Sequence, residues 1–286
     1  MKARISDFIV VKFKYSRFIE LILHFIILLI PLSWIYLISR FTKLSFPNTR
    51  IYILSKAFVR GIVVRRFNGF LAGLMFPWSL YVIMPEDGLD MQPHVWIWND
   101  YERIWKPRRG DVVIDIGAHV GLFTLKCIKV FNVGRIIAIE PHPVNYLLLN
   151  ENLKLNNYQN IANTLRVAVG GEAGSAKLYL SRYSFCHSLV FNEANTSINV
   201  QLATLDDLVE SLKLQRVDFI KIDVEGYEVE VLKGMINTLT MFKPVIVMEV
   251  LNSNIMEVKK ILSKLGYNVK TFPDLFTQHY YMHCLP

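Results

Sequence analysis

Four acids stand where an apolar run gives way to a loop: Asp115 in VVIDIGAHVG, Glu140 in RIIAIEPHP, and Asp223 with Glu225 in FIKIDVEGYE. An open parallel sheet presents charge to a ligand in this way, beyond the carboxyl ends of its strands. The first of the turns also carries Gly117 and Gly121, one suited to a tight bend and the other to close approach of a helix or ligand. Nucleotide-type cofactors are the natural occupants of such a turn, and three compete.

A triphosphate needs G-x-x-x-x-G-K-[ST], but here Gly121 is followed by Leu122 and Phe123, so the phosphate-binding lysine is absent. A dinucleotide expects G-x-G-x-x-G, whereas the chain reads Gly117-Ala118-His119-Val120-Gly121, with Asp115 just ahead where it would repel a pyrophosphate. S-adenosylmethionine carries a sulfonium and an ammonium and no phosphate, so an acid at that strand end attracts it. Glu140, about twenty residues beyond the turn, is placed to accept both ribose hydroxyls, as an acid does in nucleoside-binding folds generally. Glu140 therefore indicates a nucleoside, and Asp115 selects among the cofactors. The alternative is that both acids only end strands and cap helices.

The segments DVVIDIGAHVGLFTL, IIAIEPHPVNYLLLNENLKLNN, VAVG, TLDDL and VDFIKIDVEGYEVEVLKGM together resemble the FkbM-type methyltransferases, in the expected order over about residues 95–250. The resemblance implies a class I, Rossmann-like fold and S-adenosylmethionine-dependent methylation, mostly of hydroxyl groups. It places cofactor contacts on Asp115, Gly117, Ala118, Gly121 and Glu140, with Ala168 at the end of VAVG near the adenine. His119 stands where relatives commonly carry asparagine. Tyr101 and Glu102 resemble the Tyr-Glu pair that often precedes the first strand, and would close over the cofactor.

Methyl transfer to a hydroxyl requires a group to take the proton. Asp223 and Glu225, at the crevice end of the fourth strand, would act as base, or would hold a divalent cation that lowers the substrate pKa. Otherwise Asp223 organises the loop and Glu225 caps the helix starting near Tyr227. His187, in a polar insertion between strands, and Glu249, ending the fifth strand, are further base candidates. Glu228 and Glu230 read as a solvated helix face, and His279 and His283 as structural residues of the closing strand.

The elements that must position these residues follow from alternation of short β-branched runs with amphipathic segments. Strands are expected near 112–115, 135–139, 165–169, 217–222 and 244–250, and helices near 121–130, 143–156, 206–213, 227–240 and 253–265. AKLYLS and NVQLATL add strands, and YNVKTF with HYYMHCL makes a closing pair. The expected fold is a doubly wound α/β domain with a mainly parallel sheet and an antiparallel closing strand, spanning residues 95–286. Residues 61–94 form a connecting segment that includes the strand SLYVIM.

Residues 1–60 have another character. Leu21 to Ser39 run without an acid or a base, about the length a bilayer core demands of a helix. The segment from about 18 to 39 therefore reads as a membrane-spanning or inserted helix, despite Pro31. Basic residues flank it on both sides, Lys12, Lys14 and Arg17 before and Arg40, Lys43 and Arg50 after. They suit an anionic membrane surface, with the folded domain on the cytoplasmic side.

The 286-residue chain is 52% hydrophobic with a net charge of +8, yet it carries no zinc-finger, RRM, KH or helix-turn-helix signature, so nucleic acid is not an expected partner. Three widely spaced cysteines give neither a disulfide framework nor a zinc site. The expected substrate bears a hydroxyl on a sugar, glycan or glycolipid at a membrane. Two other classes compete: a membrane-tethered scaffold that kept the fold without catalysis, and an NAD-dependent oxidoreductase or nucleotide-sugar enzyme. The N-terminal segment should hold full-length protein on membranes through a high-salt wash; release by salt alone would replace insertion with a peripheral, charge-based contact.

Overall fold

The computed structural model describes residues 62–67, 70–75, 80–85, 87–88, 95–96, 101–102, 105–192, 195–273 and 279–286. The expected helix at 18–39 lies outside them, and among the described residues no helix is long and apolar enough to cross a membrane.

The described elements belong to one compact unit, Gly61–Pro286. Strands β1 (Ile62–Phe67), β2 (Phe70–Met75) and β3 (Leu80–Pro85) form an antiparallel sheet in the order β1-β2-β3. Next come β4 (Val112–Ile116), α1 (Leu122–Lys126) ending in a π-turn at Cys127–Phe131, β5 (Arg135–Ile139) and α2 (Pro143–Leu155). After them run β6 (Ala162–Leu165), β7 (Ala168–Val169), β8 (Gly174–Tyr179), β9 (Ser197–Ala203) and α3 (Leu205–Ser211). The chain closes with β10 (Phe219–Ile222), α4 (Glu228–Lys233), α5 (Ile236–Phe242), β11 (Val245–Leu251), α6 (Ile255–Lys264), β12 (Asn268–Pro273) and β13 (His279–Leu285).

The main sheet has seven strands in the order β12-β13-β11-β10-β4-β5-β6. Strands β6, β5, β4, β10 and β11 are parallel, whereas β13 runs antiparallel to both β11 and β12. This is the doubly wound, mainly parallel architecture with an antiparallel closing strand that the sequence predicts. Its central strands are apolar because helices cover both faces; Val113, Ile114, Ile136, Ile220, Ile246 and Val247 are all buried.

The predicted strand at 165–169 is two strands. Ala162–Leu165 completes the main sheet, while Ala168–Val169 pairs with β9 in a separate sheet of order β7-β9-β8. The predicted helix at 227–240 is likewise divided, into α4 and α5 at Gly234 and Met235. A side chain at Gly234 would sit 1.9 Å from the carbonyl oxygen of Gly170, so backbone packs on backbone at the break.

The first sheet is held to the domain by amides on one stripe of α2. Asn152, fully buried, accepts from the Ile83 amide at 2.6 Å and donates to the carbonyls of Ile83 and Val120, each at 2.8 Å. One turn later Asn156 accepts from the Tyr81 amide at 2.8 Å and donates to the Tyr81 carbonyl at 2.7 Å. The helix thus completes the open edge of β3 as a neighbouring strand would. Asn152→Ala should lower unfolding stability by about 2–4 kcal/mol, because three buried backbone groups lose their partner and each costs on the order of 1–3 kcal/mol when no water replaces it. Urea denaturation measures this, and a loss well under about 1 kcal/mol would show that the edge is not held by the amide.

Candidate active site

Strand order reverses between β4 and β10, with β5 and β6 on one side and β11 on the other, and the crevice at that switch point is where a ligand enters an open α/β sheet. Here the turn after β4 meets the turn after β10. The Asp223 amide donates to the Ile116 carbonyl at 3.1 Å. Gly117, at φ +76°, lies so close to Asp223 that a Cβ would stand 1.8 Å from its carbonyl oxygen. Only glycine fits there, both for its backbone angle and for the space. Ala118 and Gly121 shape the same turn through a hydrogen bond from the Gly121 amide to the Ala118 carbonyl at 2.8 Å.

Beneath the turn lies a buried ion cluster. Lys221, within an otherwise apolar strand, donates to the Gly117 carbonyl at 2.8 Å and pairs with Asp223 at 3.2 Å and Asp115 at 3.4 Å. Burial alone would lower the lysine pKa, but the carboxylates of Asp223 and Asp115 outweigh it, and the net shift is upward. Asp115 is fully buried and also accepts from the Thr124 hydroxyl at 2.6 Å. It therefore anchors Lys221 under the loop and does not line the cleft, a correction to its expected direct contact with a cofactor; what it offers a cationic ligand is its charge. Tyr101 joins from above. Its hydroxyl donates to Asp223 at 2.7 Å and lies 3.4 Å from Glu249, and Glu249 pairs in turn with the His279 ring.

His279 is thus no bystander of the closing strand. Its hydrogen bond to Glu249 raises its pKa to about 9. Glu102, expected to close over the cofactor with Tyr101, instead pairs with the buried Lys126 at 3.0 Å and does not line the cleft.

The cleft itself opens between Gly117, Glu140, Asp223 and Glu225, and encloses about 710 Å³ counting the space open to solvent at its mouth. At one end Glu140 accepts from the His119 amide through Oε2 and from the His142 amide through Oε1, both at 2.9 Å. The Asn145 side chain also reaches this carboxylate, and of its roughly four acceptor positions some remain for a ligand. Burial pushes its pKa up to about 7. His119 adopts φ +52°, a left-handed conformation that histidine, like asparagine, tolerates better than most residues. Ala168 lines the cleft, with Val167, Val169 and Leu178 beside it. His187 also reaches it, its ring against that of His142 at 4.3 Å between centroids and tilted by 52°, hence on the Glu140 side. Burial lowers the His187 pKa to about 4.

At the other end the Asp223-Val224-Glu225-Gly226 turn is clamped from behind. Glu225, at φ +49°, offers its carbonyl to the Ser188 hydroxyl at 2.6 Å. Glu228 accepts from the Gly226 amide at 2.7 Å and from Asn254 at 2.6 Å. Glu228, read from sequence as solvated, is only 1% exposed and braces this turn; Glu230 lies at the surface with Lys233. The Glu225 carboxyl is held well above the usual range, first by burial and then by the negative charges of Asp223 and Glu249. Among the described residues no group of three or more His, Cys, Asp or Glu is arranged to hold a metal ion, and the Asp223 carboxylate is engaged by Lys221 and Tyr101.

The donor set fits S-adenosylmethionine. A ribose-type acceptor stands at Glu140, apolar walls suit an adenine, and carboxylates at the far end suit a cation. No lysine or arginine is among the described residues lining the cleft, which leaves a pyrophosphate without a counter-charge.

Fold and site together define a Rossmann-like domain of the class I methyltransferase type. The methyltransferase FkbM domain model matches residues 115–269, and the chain belongs to that family. Methyltransferase sdnD of Sordaria araneosa is 30% identical over 154 residues, covering 43% of this chain and 60% of its own length. The hexuronic acid methyltransferase AglP of Haloferax volcanii is 30% identical over 156 residues, covering 54% of this chain and 62% of its own. The matches therefore span about three fifths of these relatives. The crystal structure of methyltransferase FkbM from Methylobacillus flagellatus aligns at a TM-score of 0.49 and 16% identity, over 71% of this chain and 56% of that one.

Hydroxyl donors favour the ionised form of Glu140, so cofactor binding should release a proton and strengthen as pH rises through about 7. Affinity at pH 6 should be about tenfold below that at pH 8, since a carboxyl of this pKa is mostly protonated at the lower value. Calorimetry in buffers of different ionisation heat measures the released proton. Glu140→Gln should abolish the release and flatten the profile; a mutant that keeps both would move the ribose elsewhere.

Proposed function

We propose that this protein is an S-adenosylmethionine-dependent methyltransferase acting on a hydroxyl group, with a sugar, glycan or glycolipid as the acceptor. The observation that carries the reading is the polarity of one cleft: a nucleoside-binding carboxylate at Glu140, a carboxylate pair at Asp223 and Glu225, and apolar walls between them. Family membership supports methyl transfer, and the hexuronic acid methylated by one relative supports a carbohydrate acceptor. The apolar, basic-flanked segment within residues 1–60 supports a domain tethered to the cytoplasmic face of a membrane, which would raise the local concentration of a membrane-held acceptor.

When bound, S-adenosylmethionine supplies an electrophilic methyl on a positively charged sulfur. The acceptor oxygen forms the new bond to carbon as the carbon–sulfur bond breaks, and the hydroxyl proton must leave. Glu225 receives it in this reading. Its carboxyl is brought to the cleft by a clamped turn, and its raised pKa makes it a stronger base than an ordinary glutamate once ionised. Asp223, held by Lys221 and Tyr101, keeps a fixed negative charge at the same end and orients a cationic ligand. His187, on the Glu140 side, helps wall the nucleoside rather than take the proton. No step requires a divalent cation.

Glu225→Gln should lower kcat about a hundredfold while cofactor affinity changes by no more than about twofold, the pattern of a lost general base. In the wild type kcat should rise with pH as the Glu225 carboxyl ionises, and the mutant should lose that rise. Asp223→Asn should instead weaken cofactor binding and lower thermal stability together, since Lys221 loses a buried partner. Label transfer from methyl-labelled cofactor to a membrane and polysaccharide extract is the assay. Full turnover in Glu225→Gln would shift the base to His187.

A further inference from the structure

The segment between β8 and β9 is long, and it contributes side chains to the cleft. Phe185, His187 and Leu189 line the cleft, while Tyr183, Val190 and Phe191 are 43%, 49% and 44% exposed. Three apolar side chains held in water on one loop beside a cleft indicate a contact surface for a ligand.

Two of the aromatic rings are already occupied. Tyr183 stacks on Phe185 at 5.6 Å and 24°, and Arg182 lies over the Tyr183 ring at 5.3 Å. Phe191 differs. Its ring edge rests on Gly226, where an added Cβ would be 2.8 Å from Phe191 Cε2 and 3.2 Å from Cζ. The residue before Gly226 is Glu225, so the ring is seated on the backbone that carries the carboxylate assigned as base.

The seat is fixed. Ser188, 1% exposed, donates to the Glu225 carbonyl at 2.6 Å, and its hydroxyl oxygen accepts from the amides of Val190 at 3.0 Å and Phe191 at 3.2 Å. One hydroxyl therefore locks the loop bearing Phe191 to the turn bearing Glu225. An aromatic ring held rigidly next to a base, with much of its surface in water, is suited to a flat partner whose faces are apolar and whose rim is polar. A pyranose ring has that form, with C–H groups on its faces and hydroxyls around its edge. Phe191 stands outside the residues that line the cleft, so a ring lying on it keeps most of its hydroxyls in water and must reach Glu225 across the Gly226 turn.

We propose that Phe191 is the stacking platform of the acceptor subsite, taking a pyranose ring against its face and presenting one rim hydroxyl to Glu225. Ser188 is the positioning residue that keeps the platform and the base in register. This rests on the carbohydrate reading of the preceding section and assigns it a residue.

The test uses full-length protein, methyl-labelled cofactor, and 4-nitrophenyl glucuronide and glucoside as acceptor probes. Phe191→Ala should raise the probe KM about five- to tenfold, the size of one aromatic contact, with the cofactor dissociation constant unchanged. Phe191→Tyr and Phe191→Trp should restore KM, because each keeps a flat face. Methylation of a probe with an unchanged KM in Phe191→Ala would overturn the platform and leave the carbohydrate reading standing. Equal loss of cofactor affinity and probe affinity in Phe191→Ala, without rescue by tyrosine or tryptophan, would also overturn it by assigning the ring a structural role. No transfer to either pyranoside, with cofactor binding intact and label entering a non-sugar acceptor of the extract, would overturn the carbohydrate reading and the platform together.

Discussion

The ammonium of Lys221 is the contact on which this site is built. It is buried on the central strand of β10 and holds three things at once: the carboxylate at the end of β4, the carboxylate at the end of β10, and the carbonyl of Gly117 in the turn between them. Removing a charge from water costs several kcal/mol, and only good partners offset that. Here two carboxylates do so, and the geometry they require fixes how far apart the two strand ends can stand. The glycine turn, the seat of Tyr101 on Asp223 and the mouth of the cleft all inherit that spacing. Because the cluster carries two acids for one base, it leaves negative potential beside the cleft, of the sign a sulfonium would meet favourably.

Much of this arrangement was legible because strand ends announce themselves. IDIGA, IAIEP and IKIDVEG each run from buried β-branched residues into an acid, and the fold places the turns after β4, β5 and β10 around one cleft. What sequence reasoning missed is which acids face the ligand and which face inward. Asp115 and Glu140 look alike in the sequence, yet one is sealed against Lys221 and Thr124 and the other opens to the cleft. That difference depends on Lys221, and a lysine alone within FIKI was the available sign: a charge in a fully apolar strand must have buried partners. Glu228 was misread for a related reason, since the period of a short helix does not reveal that Asn254, from the turn before α6, arrives to bond it. The pairing of Glu249 with His279 crosses between strands 30 residues apart and joins an antiparallel register that no local pattern encodes.

The cleft separates its tasks along its length. Glu140, with its backbone amide donors and its histidine neighbours, is built from the β5–α2 turn, the turn after β4 that carries His119, and the insertion between β8 and β9. Asp223 and Glu225 come from β10, and their supports from α4, from the turn ahead of α6 and from β13. Changes confined to one set of elements can therefore alter one end without reshaping the other. Two segments are exceptions: the insertion reaches the Glu140 end through His187 and Ser184 and the opposite end through Ser188, and the turn after β4 donates to Glu140 from His119 while Ile116 and Gly117 hold the Asp223 end. A loop with contacts at both ends is where a change of acceptor would be felt by cofactor binding.

The amides of Asn152 and Asn156 make α2 serve as a surrogate strand for β3. A sheet edge completed in this way offers no free row of donors and acceptors to another polypeptide, so β3 is protected against edge-to-edge association without a charged or bulged residue of its own. The same Asn152 also holds the Val120 carbonyl, within the glycine turn. For anyone grafting this domain onto another N-terminus, the boundary is thereby set before β3: a chimera that discards residues 80–85 removes the partner that keeps Asn152 in place and loosens the turn on which the cleft rests.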